Sequence, residues 1–167
     1  PSSSFPLKET DFNSDTDIDP NYFGAGWTKV YFEKMAEFFA SVGPTKYTVI
    51  RHSNIYGPYD KFDLEHSHVF GATVNKILHC KNGEIILWGD GSEERDLLYV
   101  SDLVDFVKLV IKKQNDPFCL VNIGYGSSIS ITNLTSTMIK TANKDIRVAY
   151  DKSKPSIKVK LSLDCTK

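Results

Sequence analysis

The sequence contains no phosphate-binding glycine loop of the form G-x-G-x-x-G. Gly24 and Gly26 come nearest to one, but no third glycine is in register and no predicted strand precedes them. Dinucleotide-binding α/β folds normally seat a pyrophosphate on such a loop at a helix N-terminus. Either the protein belongs to another class, or the half of the fold that carries this loop lies outside these 167 residues.

Other features are also scarce. The three cysteines, Cys80, Cys119 and Cys165, are scattered and odd in number, so they predict neither a disulfide framework nor a metal site. The net charge of -1 gives no electrostatic reason to expect a nucleic acid or an anionic membrane as partner. No apolar run approaches the roughly 20 residues that cross a bilayer. We therefore expect a cytoplasmic protein with reduced thiols.

The residues that are present describe an ordinary globular protein, with 41% apolar and 25% charged residues. The interval 26–42 shows helical periodicity and ends at Gly43-Pro44. Its apolar residues recur at spacings of three or four: Trp27, Tyr31, Met35, Phe38 and Val42. This pattern predicts a helix with one apolar face.

Helices and strands are predicted to alternate along the rest of the chain. Apolar, β-branched runs predict strands at 46–51, 84–87, 95–100, 118–123 and 146–150. Helical periodicity predicts helices at 69–79, 101–113 and 130–143, with Ser101-Asp102 as the cap of the second. This order predicts an α/β protein with a mostly parallel sheet.

Polar residues cluster where the strand at 46–51 ends, and three of the four histidines follow it. The cluster consists of Arg51, His52, Asn54, His66 and His68. Ligands of open α/β sheets bind beyond the carboxyl ends of the strands. We therefore expect this stretch to line a small-molecule site, and an ordinary surface loop is the alternative.

Several motifs together resemble the extended short-chain dehydrogenase/reductase family of NAD(P)-dependent nucleotide-sugar epimerases, dehydratases and reductases. They are Ser2 to Pro6, Gly24 to Lys29, Arg51 to Pro58, His66 to Val69, Trp88 to Gly91 with Arg95, Tyr99 to Leu103, Asn122 to Gly124 and Asp151 to Pro155. The resemblance covers nearly the whole chain, but only the second half of such an enzyme. Phe62 through His68 most resembles the GDP-L-fucose synthase branch, which acts on a GDP-4-keto-6-deoxy sugar.

The resemblance implies a Rossmann-like parallel sheet without its N-terminal dinucleotide-binding half, joined to a small α/β substrate-binding part. Residues 1–57 would belong to the Rossmann-like domain and 58–167 mainly to the substrate-binding part. A segment at about 97–123 would return to the Rossmann sheet. The choice between NAD and NADP depends on residues in the absent half.

The resemblance also implies catalytic roles. Lys29 matches the lysine of the family's Tyr-x-x-x-Lys pair, which holds the nicotinamide ribose. Four positions before it, where the family has its acid/base tyrosine, this chain has Ala25. Tyr22 lies seven positions before Lys29, too far back to share the same helical face in the same way, so the spacing disfavours it as a substitute. Ser3 matches a position where fucose synthases have a cysteine that works in epimerisation, with a plain serine turn as the alternative.

Further positions match the cofactor and sugar contacts of the family. His52, Ser53, Asn54 and Ile55 match the segment beside the nicotinamide, and His68 matches the epimerisation acid, with His66 as its neighbour. Lys76 matches a basic residue for the sugar or its phosphate. The implied nucleotide-diphosphate contacts are Trp88 and Arg95, with Lys154 and Asp151 at the nucleotide end. Core packing for Trp88 and a surface salt bridge for Arg95 are the alternatives.

The expected partners are a nucleotide-diphosphate sugar and a second copy of the chain, because the 26–42 helix commonly forms a homodimer in this family. With Ala25 and without the glycine loop, the chain alone is expected to be inactive. Two alternatives remain open: a UDP- or dTDP-sugar 4-epimerase or dehydratase, and a non-catalytic relative that binds nucleotide sugars.

Overall fold

A computed structural model describes residues 5–13, 15–64, 66–154 and 160–167. The α-helices are α1 (Phe23–Val42), α2 (Val69–Leu78), α3 (Val100–Lys113) and α4 (Ile131–Thr141). The strands are β1 (Tyr47–His52), β2 (Asn54–Tyr56), β3 (Glu84–Trp88), β4 (Glu94–Tyr99), β5 (Phe118–Ile123), β6 (Ser128–Ser130) and β7 (Arg147–Asp151). No helix in these ranges is long and apolar enough to cross a membrane.

The strands form three small sheets that are parallel except at one edge. β1 pairs with β5 from Tyr47 opposite Phe118 to His52 opposite Ile123. β2 and β4 are parallel, and β6 joins β4 as an antiparallel edge strand. β3 and β7 form the third, parallel pair. The predicted α/β class is confirmed, while the division into 1–57 and 58–167 stays a prediction.

Differences from the predicted elements are local. The short strands β2 and β6 were not predicted, because three residues are too few to show a period. The predicted cap of α3 is wrong: this helix begins at Val100 with Tyr99 at the N-cap and has no side-chain capping bond. By contrast, Ser130 caps α4, since its hydroxyl accepts a hydrogen bond from the Asn133 amide.

The packing of α1 positions the cleft described below. Of the predicted apolar residues, Trp27 and Met35 are partly buried, while Tyr31 and Phe38 are exposed. The helix is tied to β1 by Arg51, which donates to both carboxylate oxygens of Glu33 at 2.8 and 2.7 Å. This bidentate pair is partly buried, so it fixes the register of α1 against the strand.

The hydrophobic core lies between α2, α4 and the β3–β7 pair. Its buried residues are Ile77, Ile85, Leu87, Ile131 and Leu134. Ile85 and Leu87 alternate with exposed neighbours along β3, so one face of this pair is covered by the helices and the other is open.

The Asp96 side chain on β4 links three segments. It is fully buried and accepts hydrogen bonds from the amides of Tyr125, Gly126 and Leu163 at 2.8, 3.2 and 3.2 Å. Gly124 lies so close to this carboxylate that a β-carbon there would be 2.7 Å from one of its oxygens. A buried charge is tolerated only with such partners, and here they all come from backbone.

We expect Asp96→Ala to lower the free energy of unfolding by about 3 kcal/mol, because three backbone amides lose their acceptor. Asp96→Asn keeps one acceptor oxygen, so we expect a smaller loss. Urea denaturation measures both, with Asp105→Ala on the exposed face of α3 as the control. An Asp96→Ala loss no larger than that of the control would contradict the linking role.

Candidate functional site

A cleft of about 1010 Å³ lies beyond the carboxyl end of β1. Its wall is formed by the start of α1, the segment from β1 to the 57–60 loop, the start of α2, and β4. The cleft brings together seven of the predicted site residues: Lys29, His52, Ser53, Asn54, Ile55, His68 and Arg95. These residues come from four separate parts of the sequence, so it is the fold that brings them together.

The segment from His52 to Asn54 is held by hydrogen bonds on its inner side. The Ser53 amide donates to the Ile123 carbonyl at 2.9 Å, and the His52 ring nitrogen Nδ1 lies 2.8 Å from the Ser53 carbonyl oxygen. The Asn54 side chain donates to the Asp96 carbonyl at 3.2 Å. The Ser53 hydroxyl, by contrast, is buried and has no hydrogen-bond partner. One carboxylate oxygen of Asp60, another residue of the cleft wall, is likewise buried without a partner among the described residues.

The loop after β2 requires unusual backbone. Gly57 has a φ of 154°, and a β-carbon there would be 2.6 Å from Val100, so this position needs glycine. Tyr59 has a φ of 69° and is fully exposed at the edge of the cleft. Positive φ is rare for a tyrosine and concentrates at functional loops.

The two histidines of the His66-Ser67-His68 triplet have different surroundings. His68 occupies the N-cap of α2, with an exposed side chain that lines the cleft. His66 lies 3.2 Å from Asp63, is exposed and is not among the lining residues. Of the two, His68 is therefore placed to meet a ligand.

Two of the predicted catalytic positions, Ala25 and Ser3, are not among the seven residues named above. Ala25 is exposed on α1 and is not among the residues that line the cleft, whereas Tyr22 is. The predicted Ser3 lies outside the described residues. Tyr22, which the family's spacing disfavours, is the N-cap of α1 and lies just before the helix begins.

The remaining predicted residues lie at β3 and β7. The Lys76 amine donates to the Ile86 carbonyl at 2.7 Å, and burial lowers the pKa of this amine. Trp88 is 56% exposed, and the Lys154 amine lies 5.8 Å from the centre of its ring. Hydrogen bonds from Ser153 lower the pKa of the neighbouring Asp151 carboxyl. Trp88 and Lys154 thus form a second exposed cluster, and Lys76 ties α2 to β3.

An apolar groove of about 720 Å³ lies on the other side of Tyr56, between α2 and α4. Among the described residues, no charged side chain lines it; its polar groups are hydroxyls and backbone. A phosphate or carboxylate ligand would find no cation there, so the cleft at β1 is the better candidate. In the described part of the chain, no group of three or more His, Cys, Asp or Glu residues could hold a metal ion.

Comparison with known proteins places the chain in a family. The model of the NAD dependent epimerase/dehydratase family matches residues 7–124. The chain belongs to this family. It is 35% identical to the GDP-L-colitose synthase of Yersinia pseudotuberculosis over 61% of this chain and 34% of that protein. It is 33% identical to the GDP-L-fucose synthase of Sinorhizobium fredii over 76% of this chain and 38% of that protein.

A solved structure supports the same fold. UDP-glucose 4-epimerase from Thermotoga maritima, determined with UDP-glucose, superimposes with a TM-score of 0.77 and 28% identity. The match covers 99% of this chain and 50% of that one. The chain thus spans half or less of the length of these three proteins.

The cleft fits one end of a nicotinamide dinucleotide. The unpartnered Ser53 hydroxyl offers a buried hydrogen bond, and Lys29 at the same wall offers an ammonium for a ribose. The pyrophosphate end has no matching element, because the sequence has no glycine-rich loop. The residues present therefore fit the nicotinamide ribose and not the whole cofactor.

We expect Ser53→Ala to leave the free energy of unfolding of the ligand-free chain unchanged within about 0.5 kcal/mol, because its hydroxyl has no partner to lose. Thr135→Val removes another buried, unpartnered hydroxyl, on α4, and serves as the control.

Addition of reduced nicotinamide mononucleotide, the half of the cofactor that the cleft fits, separates the two variants. The melting temperature of Thr135→Val should rise as in the native chain, and that of Ser53→Ala should rise less. A ligand-free loss above about 1 kcal/mol in Ser53→Ala would show that the hydroxyl has a structural partner instead.

Proposed function

We propose that the chain supplies the nicotinamide and sugar side of an NAD(P)-dependent nucleotide-sugar epimerase/reductase of the GDP-L-fucose synthase type. The observation that supports this most strongly is the convergence of Lys29, the 52–55 segment, His68 and Arg95 on one cleft. Relatives at 33% and 35% identity are named as synthases of GDP-L-fucose and GDP-L-colitose, and this favours a GDP sugar, here a GDP-4-keto-6-deoxy sugar, as substrate.

Epimerisation requires a base that removes a proton from a carbon next to a keto group and an acid that returns it. His68 is suited to one of these steps, because imidazole can either remove or return a proton; inversion of the carbon needs a second group on the opposite face for the other step. Its position at the start of α2 directs the positive end of the helix towards the same region, where the developing enolate oxygen would be stabilised.

Reduction follows epimerisation in this proposal. When bound, the nicotinamide supplies a hydride to the keto carbon. Lys29 and the Ser53 hydroxyl would hold its ribose, and the 52–55 segment would form the wall beside the ring. Whether the cofactor is NAD or NADP depends on the adenosine end, for which these residues provide no contact.

The diphosphate and base of the substrate would lie between two cationic groups. Arg95 lines the cleft, and its guanidinium suits bidentate contact with phosphate. Trp88 offers an exposed ring for a base, with Lys154 beside it. Lys76 is the weakest of the proposed contacts, since its amine already donates to the Ile86 carbonyl.

A non-catalytic role in binding nucleotide sugars is the second candidate. Ala25 supports it, because a methyl group at the acid/base position of the family cannot transfer a proton. The two candidates differ in chemistry rather than in binding, so proton exchange distinguishes them.

The exchange of deuterium into the sugar tests the proposal on this chain as it is. Proton exchange, unlike reduction, needs neither the nicotinamide nor a phenol at position 25. In D₂O, the native chain should incorporate deuterium next to the keto group of GDP-4-keto-6-deoxymannose, followed by NMR. His68→Asn should reduce the rate by about 10²-fold or more. His79→Asn, an exposed histidine at the other end of α2, should leave it unchanged.

The result also separates the two candidates. If the sugar raises the melting temperature of the native chain but no deuterium enters, the chain binds without catalysing. If His68→Asn exchanges as fast as the native chain, the role of His68 is refuted.

We also propose that a second copy of the chain packs on α1. Exposed side chains cover this helix along much of its length: Phe23, Tyr31, Phe32, Phe38, Phe39 and Val42. Monomers rarely expose so continuous an apolar surface. A pair of such helices would bury these rings against each other, as expected from the family resemblance.

We expect the native chain to sediment as a dimer and Phe38→Glu to sediment as a monomer, because a carboxylate would be buried in the helix pair. The control is Ile111→Glu, on the exposed side of α3, where the native side chain is 79% exposed. Sedimentation velocity measures both. A monomeric native chain, or a dimeric Phe38→Glu variant, would contradict the proposed interface.

A further inference from the structure

Tyr22 stands at the edge of the cleft, where the chain turns into α1. A short 3-10 turn, Pro20–Tyr22, leads into the helix, and the Tyr22 amide donates to the Asp19 carbonyl at 2.8 Å. Before this turn, Ile18 packs on Gly26, where a β-carbon would be 2.7 Å from its side chain. The absence of a side chain at Gly26 thus allows the incoming segment to lie against α1.

Tyr22 and Lys29 line the same cleft. Tyr22 is the N-cap of α1 and Lys29 lies in the second turn of the helix, so their α-carbons are about 10 Å apart along the helix axis. Two long side chains can reach a ligand between them over this distance. The Tyr22 side chain is 48% exposed, so its hydroxyl is accessible to a ligand.

We propose that Tyr22 donates the proton to the carbonyl oxygen when the keto sugar is reduced. This inference rests on the proposed function and assigns to Tyr22 the role for which Ala25 has no group. Hydride from a reduced nicotinamide dinucleotide adds to the carbonyl carbon, and the π electron pair moves to the oxygen. The Tyr22 hydroxyl protonates that oxygen, and the resulting tyrosinate recovers a proton from water.

The other groups of the cleft are less suited to this step. The Tyr56 ring packs between Phe70 and Tyr99, with centroids at 4.4 and 5.4 Å. Tyr59 is fully exposed on the loop at the cleft edge. His52 is engaged with the Ser53 carbonyl. Of these three phenols, Tyr22 is the one that lines the cleft from the α1 side, as the Lys29 ammonium does.

Binding measurements test the contact without requiring turnover. We expect the native chain to bind both GDP and a GDP-4-keto-6-deoxy sugar in calorimetric titrations. Tyr22→Phe should bind the keto sugar about tenfold more weakly, the value of one hydrogen bond, and should bind GDP unchanged. Tyr125→Phe, an exposed tyrosine outside this cleft, is the control and should bind both ligands like the native chain.

A second variant distinguishes Tyr22 from the position of Ala25. In the Tyr22→Phe background, Ala25→Tyr should restore the affinity for the keto sugar, whereas in the native background it should add nothing. If Ala25→Tyr alone tightens binding tenfold, the carbonyl has no phenol near it in the native chain and the proposal is overturned.

Nitration provides an independent readout. Tetranitromethane should modify both Tyr22 and Tyr125, and of these two the keto sugar should protect Tyr22 alone, as followed by peptide mass spectrometry. Unchanged nitration of Tyr22, or equal keto-sugar affinity in Tyr22→Phe, overturns the role of Tyr22 and leaves the proposed function intact. Failure of the native chain to bind either GDP or the keto sugar overturns both.

Discussion

The burial of the Asp96 carboxylate is the constraint on which the arrangement of the site depends. A carboxylate without solvent contact needs donors, and backbone amides of the 125–126 turn and of Leu163 supply them. The same residue accepts the Asn54 side-chain hydrogen bond through its carbonyl. One aspartate on β4 therefore fixes the turn after β5, the last described segment of the chain, and one residue of the cleft wall.

A second tie sets the position of the opposite wall. Arg51 extends from β1 and holds Glu33 of α1 with one side of its guanidinium, while another nitrogen donates to the Glu9 carbonyl at 3.0 Å. The backbone amide of Asn122, on β5, donates in turn to the Glu9 carboxylate at 2.7 Å. The helix with Lys29 and the strand pair that ends at the cleft are thus joined by charged groups rather than by a dry core. This agrees with the single buried residue of α1, Ala40.

The sequence predicts the longer elements well, and physics explains which features it misses. The strand at 118–123 agrees with β5 because its apolar run has clear ends, and Gly43-Pro44 correctly ends α1. Membership of the cleft is partly predictable, since the ends of parallel strands collect ligands. The hydrogen bond of Lys76 is not predictable, because a lysine at a helical position has the same sequence signature whether its amine contacts a phosphate or the Ile86 carbonyl.

The positions of Tyr22 and Ala25 show why spacing alone is an incomplete guide to this site. A four-residue spacing places two side chains on adjacent turns, and a seven-residue spacing places them two turns apart on nearly the same side. Both spacings are compatible with a phenol and an ammonium around one carbonyl. Which one operates depends on how the chain enters the helix, and here the contact between Ile18 and Gly26 sets that entry. If Tyr22 acts as proposed, the alanine at position 25 does not by itself remove the acid from the cleft.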